Sequence, residues 1–196
     1  MTFKGFRITG PKPGAYVLGD PIDVYDGQLH LGRLSQVSVS ANGSELRLED
    51  FITTDLEVLR TRRLARLIMV EILSFIVERH PSVSAIGIVL SADIDLIEGL
   101  PGGSAKLASV REQLLHSVGA DNIRITPKPH PRHPAHFAVS GVWQYNRETA
   151  HILAEALRLE RSEYVQRLAA LTAAAKSASE ANPPRSVLSR LLAKDR

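Results

Sequence analysis

The apolar residues of this chain change period once, just after residue 53, and that change bounds what it can fold into. Before it, apolar and polar residues alternate in short runs such as Ile22-Asp23-Val24-Tyr25 and Val37-Ser38-Val39-Ser40. Such alternation puts successive side chains on opposite faces of a strand. After it, Leu64, Leu67, Ile68, Ile72, Phe75 and Ile76 recur at three- and four-residue steps, the spacing of one apolar helix face. A strand-rich first third followed by a buried helix has to pack that helix on a sheet.

Turn residues divide the first third. Pro11, Pro13 and Gly14 isolate a strand over 3–9. Asp26-Gly27 marks a hairpin between 22–25 and 28–31, and Ala41-Asn42-Gly43-Ser44 turns the chain into 45–48. Asp-Gly and Asn-Gly suit tight hairpins because both residues accept positive φ. The spacing then predicts one buried helix of about six turns, capped by Thr54 or Asp55, running through Arg79 and stopped by Pro81. The apolar run over 83–90 reads as a strand buried on both faces. A Gly- and Pro-rich loop over 98–104 leads to a helix over 105–117 that Gly119 closes. A strand over 122–126, a proline-rich connector over 128–134 and a strand over 136–145 follow. Asn146 or Thr149 then caps a long Ala- and Leu-rich helix.

The expected class is α/β, with a mixed, largely antiparallel sheet around a central helix and a long C-terminal helix. The core is expected over 1–146, the helix over 147–178, and a linker with a short amphipathic tail over 179–196.

At 196 residues the chain is long enough for one sizeable core. Its 24 Lys+Arg against 21 Asp+Glu give a net charge of +3, too little to imply a nucleic-acid partner without a clustered patch. Only 5% of residues are aromatic, and they do not interleave with basic ones, so single-stranded nucleic acid has no stacking platform. Cysteine is absent, which excludes disulfides and thiolate chemistry. The N-terminus lacks the apolar core of a signal peptide. The run Leu67-Ile68-Met69-Val70 ends at Glu71, far short of the ~20 residues that span a bilayer. A cytoplasmic, membrane-free protein is expected, although export without a cleavable signal fits as well.

The stretch Arg60-Thr61-Arg62-Arg63-Leu64-Ala65 is the strongest functional signal. Cations at the mouth of a helix, just after a sheet, mark a place where backbone N–H groups and the helix dipole favour an anion. The plainer account is a solvated helix face, the common fate of charge runs. His130, His133 and His136 recur every third residue, which would line three imidazoles along one edge of a polyproline helix. A metal site normally uses ordered elements and an oxygen or sulfur donor as well, so a solvated connector is expected and no metal. The run Gly102-Gly103-Ser104-Ala105-Lys106 lacks the Gly-Lys-[Ser/Thr] of a nucleotide-binding loop. No G-x-S-x-G elbow supports a hydrolase.

The order of elements, together with Arg60 and Ala65 in the pattern [QR]-x-x-G-x-[GA], resembles the GNAT superfamily of acyl-CoA-dependent acyltransferases. The resemblance spans roughly residues 15–145 as element order. It implies that the loop around Arg60, Arg62, Arg63, Leu64 and Ala65 holds the pyrophosphate of acetyl-CoA or another acyl-CoA, gripped between splayed fourth and fifth strands. It implies a base at Glu49 or Asp50 that deprotonates an amine on a small molecule or protein. Two departures stand out: Arg63 replaces the glycine of the motif, and Leu115 replaces a tyrosine that often serves as general acid. Two helices usual between the first two strands are also missing. A non-catalytic interaction protein on the same scaffold, with the C-terminal helix as a partner or homodimer surface, is the competing expectation.

Overall fold

The computed structural model describes residues 3–12, 16–90, 103–129, 131 and 136–181, the side chains of Asp50 and of residues 178–181 excepted. The connector histidines His130 and His133, the loop over 91–102 and the tail beyond 181 lie outside that set. Among the described residues, seven strands form one sheet in the order β1-β2-β3-β4-β5-β7-β6. The strands are β1 (Arg7–Thr9), β2 (Ile22–Asp26), β3 (Leu29–Val39), β4 (Glu45–Thr53), β5 (Ala85–Leu90), β6 (Asp121–Pro127) and β7 (Phe137–Gln144). The helices are α1 (Leu56–Thr61), α2 (Ala65–Arg79), α3 (Gly103–Ser117) and α4 (Arg147–Ala181). Every neighbouring pair is antiparallel except β4 and β5. The fold is therefore mixed α/β with a largely antiparallel sheet, a central helix and a long C-terminal helix.

Register explains the core. Leu46 pairs with Ile86, which pairs with Trp143, and Leu48 pairs with Ile88 and so with Gly141. Partners across a ladder share a face, so Leu46, Ile86 and Trp143 form one apolar row, each at most 2% exposed. That row lies under α2, whose residues Leu67 through Ser74 are all buried. A helix buried all round needs cover on both sides, and α4 packs on its outer side.

Several expectations change in the structure. β3 is one eleven-residue strand rather than two, because the polar stretch between its apolar ends still pairs with both β2 and β4. β5 is not buried on both faces: Ile86 and Ile88 are buried and their alternates are half-exposed. β1 is only three residues long. Upstream of it Gly5 takes a φ of 108°, and Phe3 and Phe6 pack edge-on against Tyr164 of α4. Trp143 is buried, while Tyr145, expected within the strand over 136–145, lies past the strand end and is 53% exposed.

The cap of α4 uses both candidates at once. The Thr149 N–H donates to Asn146 Oδ1 at 2.9 Å, and the Asn146 N–H donates to Thr149 Oγ1 at 3.1 Å. This is the reciprocal arrangement of a capping box.

Two ion-pair clusters tie α4 to α2, and a third ties α4 and Arg62 to β2. Arg161 holds Glu71 with two bonds of 2.7 and 2.8 Å. Glu160 accepts from Arg66 at 2.7 Å and from Arg167 at 3.5 Å. Asp26 accepts from Arg62 at 3.0 Å and from Tyr164 at 2.5 Å. Burial first, and then the Asp26 carboxylate, push the Tyr164 hydroxyl up to about 12.

A separate cluster fixes β2 to β3. Asp23 is buried and accepts from Arg33 Nε at 2.9 Å, Arg33 Nη2 at 2.7 Å and His30 Nε2 at 2.9 Å. The Arg33 hydrogen bonds hold the Asp23 carboxyl below its ordinary value. A depressed carboxylate stabilises the fold above the ordinary carboxylate range and loses that contribution as pH falls through the folded-state value. Asp23→Asn is therefore expected to cost about 1–2 kcal/mol at neutral pH, the half-exposed Arg33 keeping it modest. The deficit should shrink as the pH is lowered below about 4. Urea midpoints at neutral and acid pH check this, and an undiminished deficit at acid pH would contradict it.

Candidate functional site

The helix expected to run unbroken from 55 to 79 is two helices. Asp55 caps the first: its Oδ1 accepts from the Val58 N–H at 2.9 Å. After α1 the Leu64 N–H donates to Leu59 O at 3.0 Å, and the Arg63 N–H donates to Arg60 O at 3.1 Å. These two bonds form a Schellman motif, whose penultimate residue sits in the left-handed region. Arg63 occupies that position with φ of 52°. The end of α3 repeats the motif, with Ala120 N–H to Leu115 O at 3.1 Å and Gly119 N–H to His116 O at 3.0 Å. There the left-handed residue is Gly119, at φ of 81°. The helix end at 62–64 thus takes the backbone shape that a glycine normally supplies, with an arginine in its place.

A left-handed non-glycine residue costs roughly 1–2 kcal/mol. Glycine gives back about 0.4–1 kcal/mol through its freer unfolded chain. The strain outweighs that entropy, so Arg63→Gly is expected to stabilise the fold by about 0.5–1 kcal/mol. Chemical denaturation measures it, and a loss of stability would show that the Arg63 side chain itself is needed.

This geometry separates the candidate residues. The N–H groups of Arg63 and Leu64 are used in closing α1, and the Leu64 side chain is fully buried in the core. Arg62 and Arg66 are paired with Asp26 and Glu160, so neither points an open guanidinium at the loop. Arg60 is exposed on the last turn of α1 and has a partner of its own. Arg63 is exposed, and its guanidinium has no acid partner among the described residues. No side chain caps α2, which leaves the N–H groups of Ala65, Arg66 and Leu67 open at its mouth. Of the six residues from Arg60 to Ala65, the structure brings Arg63 and Ala65 to that mouth.

Beside it, the parallel strands part. β4 pairs with β5 from Glu45 to Glu49, opposite Ala85 to Val89. Beyond Glu49 β4 pairs only with β3, through Phe51, Ile52 and Thr53. Leu48 and Phe51 both line the space that opens as β4 turns away from β5. Gly32 makes room for the turn: a Cβ there would stand 2.5 Å from Ile52 O and 2.6 Å from the Phe51 ring.

The gap holds an apolar cavity of about 210 Å³. Leu48, Phe51 and Thr53 of β4, Ile88, Val89 and Leu90 of β5, and Leu34 of β3 form its sheet side. Leu59 of α1, Ala65, Ile68, Met69, Ile72 and Leu73 of α2, and Leu107, Val110, Arg111 and Leu114 of α3 close it. Ala65 belongs both to the cavity wall and to the open mouth of α2. The Thr53 hydroxyl donates to Leu31 O at 3.1 Å, so it adds little polarity. Arg111 donates to Leu90 O at 3.2 Å at the end of β5. Desolvation lowers its guanidinium to about 10, which leaves it charged near neutral pH. The sequence offers no warning of this residue, because its role depends on α3 meeting the end of β5.

Glu49 sits at the point of parting. Its Oε2 accepts from Arg47 Nε at 3.3 Å and Nη2 at 3.2 Å. Residues two apart on a strand share a face, so this pair lies on the sheet side away from Leu46 and Leu48. Asp50 follows Glu49 in β4, its side chain outside the described set. Leu115, at the position of the missing tyrosine, is fully buried. His136 is buried beside Ser104, with Nδ1 and Oγ 3.5 Å apart, and Ser104 Oγ accepts from the Phe137 N–H at 3.2 Å. Ser104 thus ties α3 to β7 rather than only opening the helix. Among the described residues no group of three or more His, Asp or Glu could hold a metal. No helix among them is long and apolar enough to cross a membrane.

No protein-family model matches the chain. No curated protein matches it either. Among solved structures it is similar to a provisionally named acetyltransferase, with TM-score 0.43 and 12% identity over 70% of this chain. The match spans 62% of that protein's length. A Bacillus subtilis acetyltransferase in complex with CoA gives TM-score 0.44 and 9% identity, over 72% of this chain and 99% of the other. A protein of unknown function from Aquifex aeolicus gives TM-score 0.41 and 12% identity, over 85% of this chain and 83% of the other.

Proposed function

We propose that the chain is a divergent acyl-CoA-dependent N-acyltransferase of the GNAT type. The observation that carries this is the apolar cavity opened where parallel β4 and β5 part, with Ala65 joining it to the uncapped mouth of α2. A pyrophosphate would take the open N–H groups of Ala65, Arg66 and Leu67, with Arg63 supplying charge beside them. The arm that carries the thioester would run along the freed edge of β4, which offers main-chain partners for its amides, and would bring its acyl end to the cavity. Glu49 would accept the amine proton directly or through water, Arg47 orienting its carboxylate. Attack on the thioester then needs no covalent enzyme intermediate. Asp50 remains the alternative base on the same strand.

The competing reading is a non-catalytic partner-binding protein, and one observation favours it. The general-acid position is a fully buried leucine, Leu115, which cannot donate a proton to a leaving thiolate. On that reading the far half of α4, where residues 169–177 are exposed, would be the surface for a second copy or another protein.

Titration calorimetry with coenzyme A and acetyl-CoA tests the first reading. Binding is expected in the micromolar range, weakened about fivefold by Arg63→Ala through loss of one charge-assisted contact. No heat at millimolar ligand would sink it. If coenzyme A binds but no amine is acylated, the non-catalytic reading holds.

A further inference from the structure

We infer that the cavity between β4, β5, α2 and α3 receives the aliphatic chain of a medium-length acyl group rather than an acetyl group. This names the acyl class for the proposed function and rests on that reading for the chain's carrier. The argument is one of size and lining. The cavity runs from Val110, which is 52% exposed, down to Ile68 and Leu73 of α2, which are at most 3% exposed. Among the described residues its walls are aliphatic apart from Phe51, Thr53, Met69 and Arg111, and the Thr53 hydroxyl is already bonded to the Leu31 carbonyl.

A cavity of about 150 Å³ lined by Leu, Ile and Phe stays dry and takes up benzene. By that scale 210 Å³ suits a chain of roughly eight carbons. An acetyl group would leave most of the lining without contacts, forfeiting their dispersion attraction. Water is no better an occupant, because it needs two to four polar partners and this lining offers few. Arg111 is the one charged group among the described lining residues, held against the Leu90 carbonyl at the end of β5. Its alkyl stem extends the apolar wall while its charged end stays at the strand terminus.

The test compares coenzyme A, acetyl-CoA, octanoyl-CoA and free octanoate by titration calorimetry on the full chain. Each methylene moved from water into the cavity tightens binding about fourfold. Octanoyl-CoA is therefore expected to bind at least about a hundredfold tighter than acetyl-CoA, with incomplete burial already discounted. Val110→Trp at the entrance and Ile72→Phe on the floor should each reduce that ratio by about tenfold or more, circular dichroism confirming that both are folded. Val110 is half-exposed, so its variant keeps the test available if Ile72→Phe does not fold. Equal affinities for acetyl- and octanoyl-CoA would overturn the chain inference and leave the acyl-CoA reading standing. Octanoate binding without any gain from the coenzyme A portion would support the cavity assignment and sink the acyl-CoA reading. No binding of any of the four would overturn both.

Discussion

Arg161→Met is expected to destabilise the protein by about 3–5 kcal/mol, the usual cost of stranding one partner of a buried ion pair. Glu71 lies on α2 with its side chain 5% exposed, and both its oxygens accept from Arg161. Removing the guanidinium leaves a buried carboxylate without its two charged hydrogen bonds. The reverse change, Glu71→Leu, leaves a cation that is 35% exposed and can turn toward solvent, so it should cost less, about 2 kcal/mol. The double variant Glu71→Leu with Arg161→Met should recover much of the loss, because replacing both partners by apolar groups removes the stranded charge. Urea denaturation of the four proteins gives the cycle. Additive losses would show that the pair does not couple α2 to α4.

Trp143→Ala should cost about as much, 3–5 kcal/mol, for a different reason. The indole is fully buried in the row with Ile86 and Leu46, and Nε1 donates to Val118 O at 3.0 Å. That carbonyl follows the last residue of α3, where helix carbonyls lack partners within the helix. Truncation therefore opens a cavity and orphans an acceptor in one step. Trp143→Phe keeps most of the volume and loses only the donor, so about 1–2 kcal/mol is expected. Trp143 is the sole tryptophan, so far-ultraviolet circular dichroism must replace fluorescence. A loss under about 1 kcal/mol for the alanine variant would mean that β7 and α3 repack freely, against the density of a folded core.

Much of the architecture is legible in local residue patterns. The hairpin at Asn42-Gly43, the central apolar helix, the Gly119 stop and the cap at Asn146 and Thr149 each depend on residues within a few positions of one another. The departures from those patterns share a cause. The break at Arg62-Arg63 is silent in the sequence because no glycine or proline marks it. Arg63 adopts the left-handed conformation because the next residue, Leu64, buries fully and its N–H closes α1. The apolar run in β5 reads as buried on both faces, but Ile86 and Ile88 alone are buried and the residues between and beside them are half-exposed.

The candidate site divides in the same way. The basic stretch from Arg60 to Arg66 is visible as charge, but the partners of Arg62 and Arg66 come from β2 and α4, 36 and 94 residues away. Sequence spacing carries no information about such pairings. Nor does it place a helix mouth at residue 65, since the break before α2 is unmarked; tertiary pairing decides which cations stay open there.

By itself the sequence determined most elements and their order, apart from the split of α1 from α2 and the continuity of β3, because helix and strand periods, turns and caps are short-range properties of neighbouring residues. Only the tertiary structure decided that β4 leaves β5 after Glu49, that the gap is apolar, and that Ala65 joins it to the open end of α2. Those facts depend on long-range register and on which side chains fill the space between packed layers, and neither is encoded in local period.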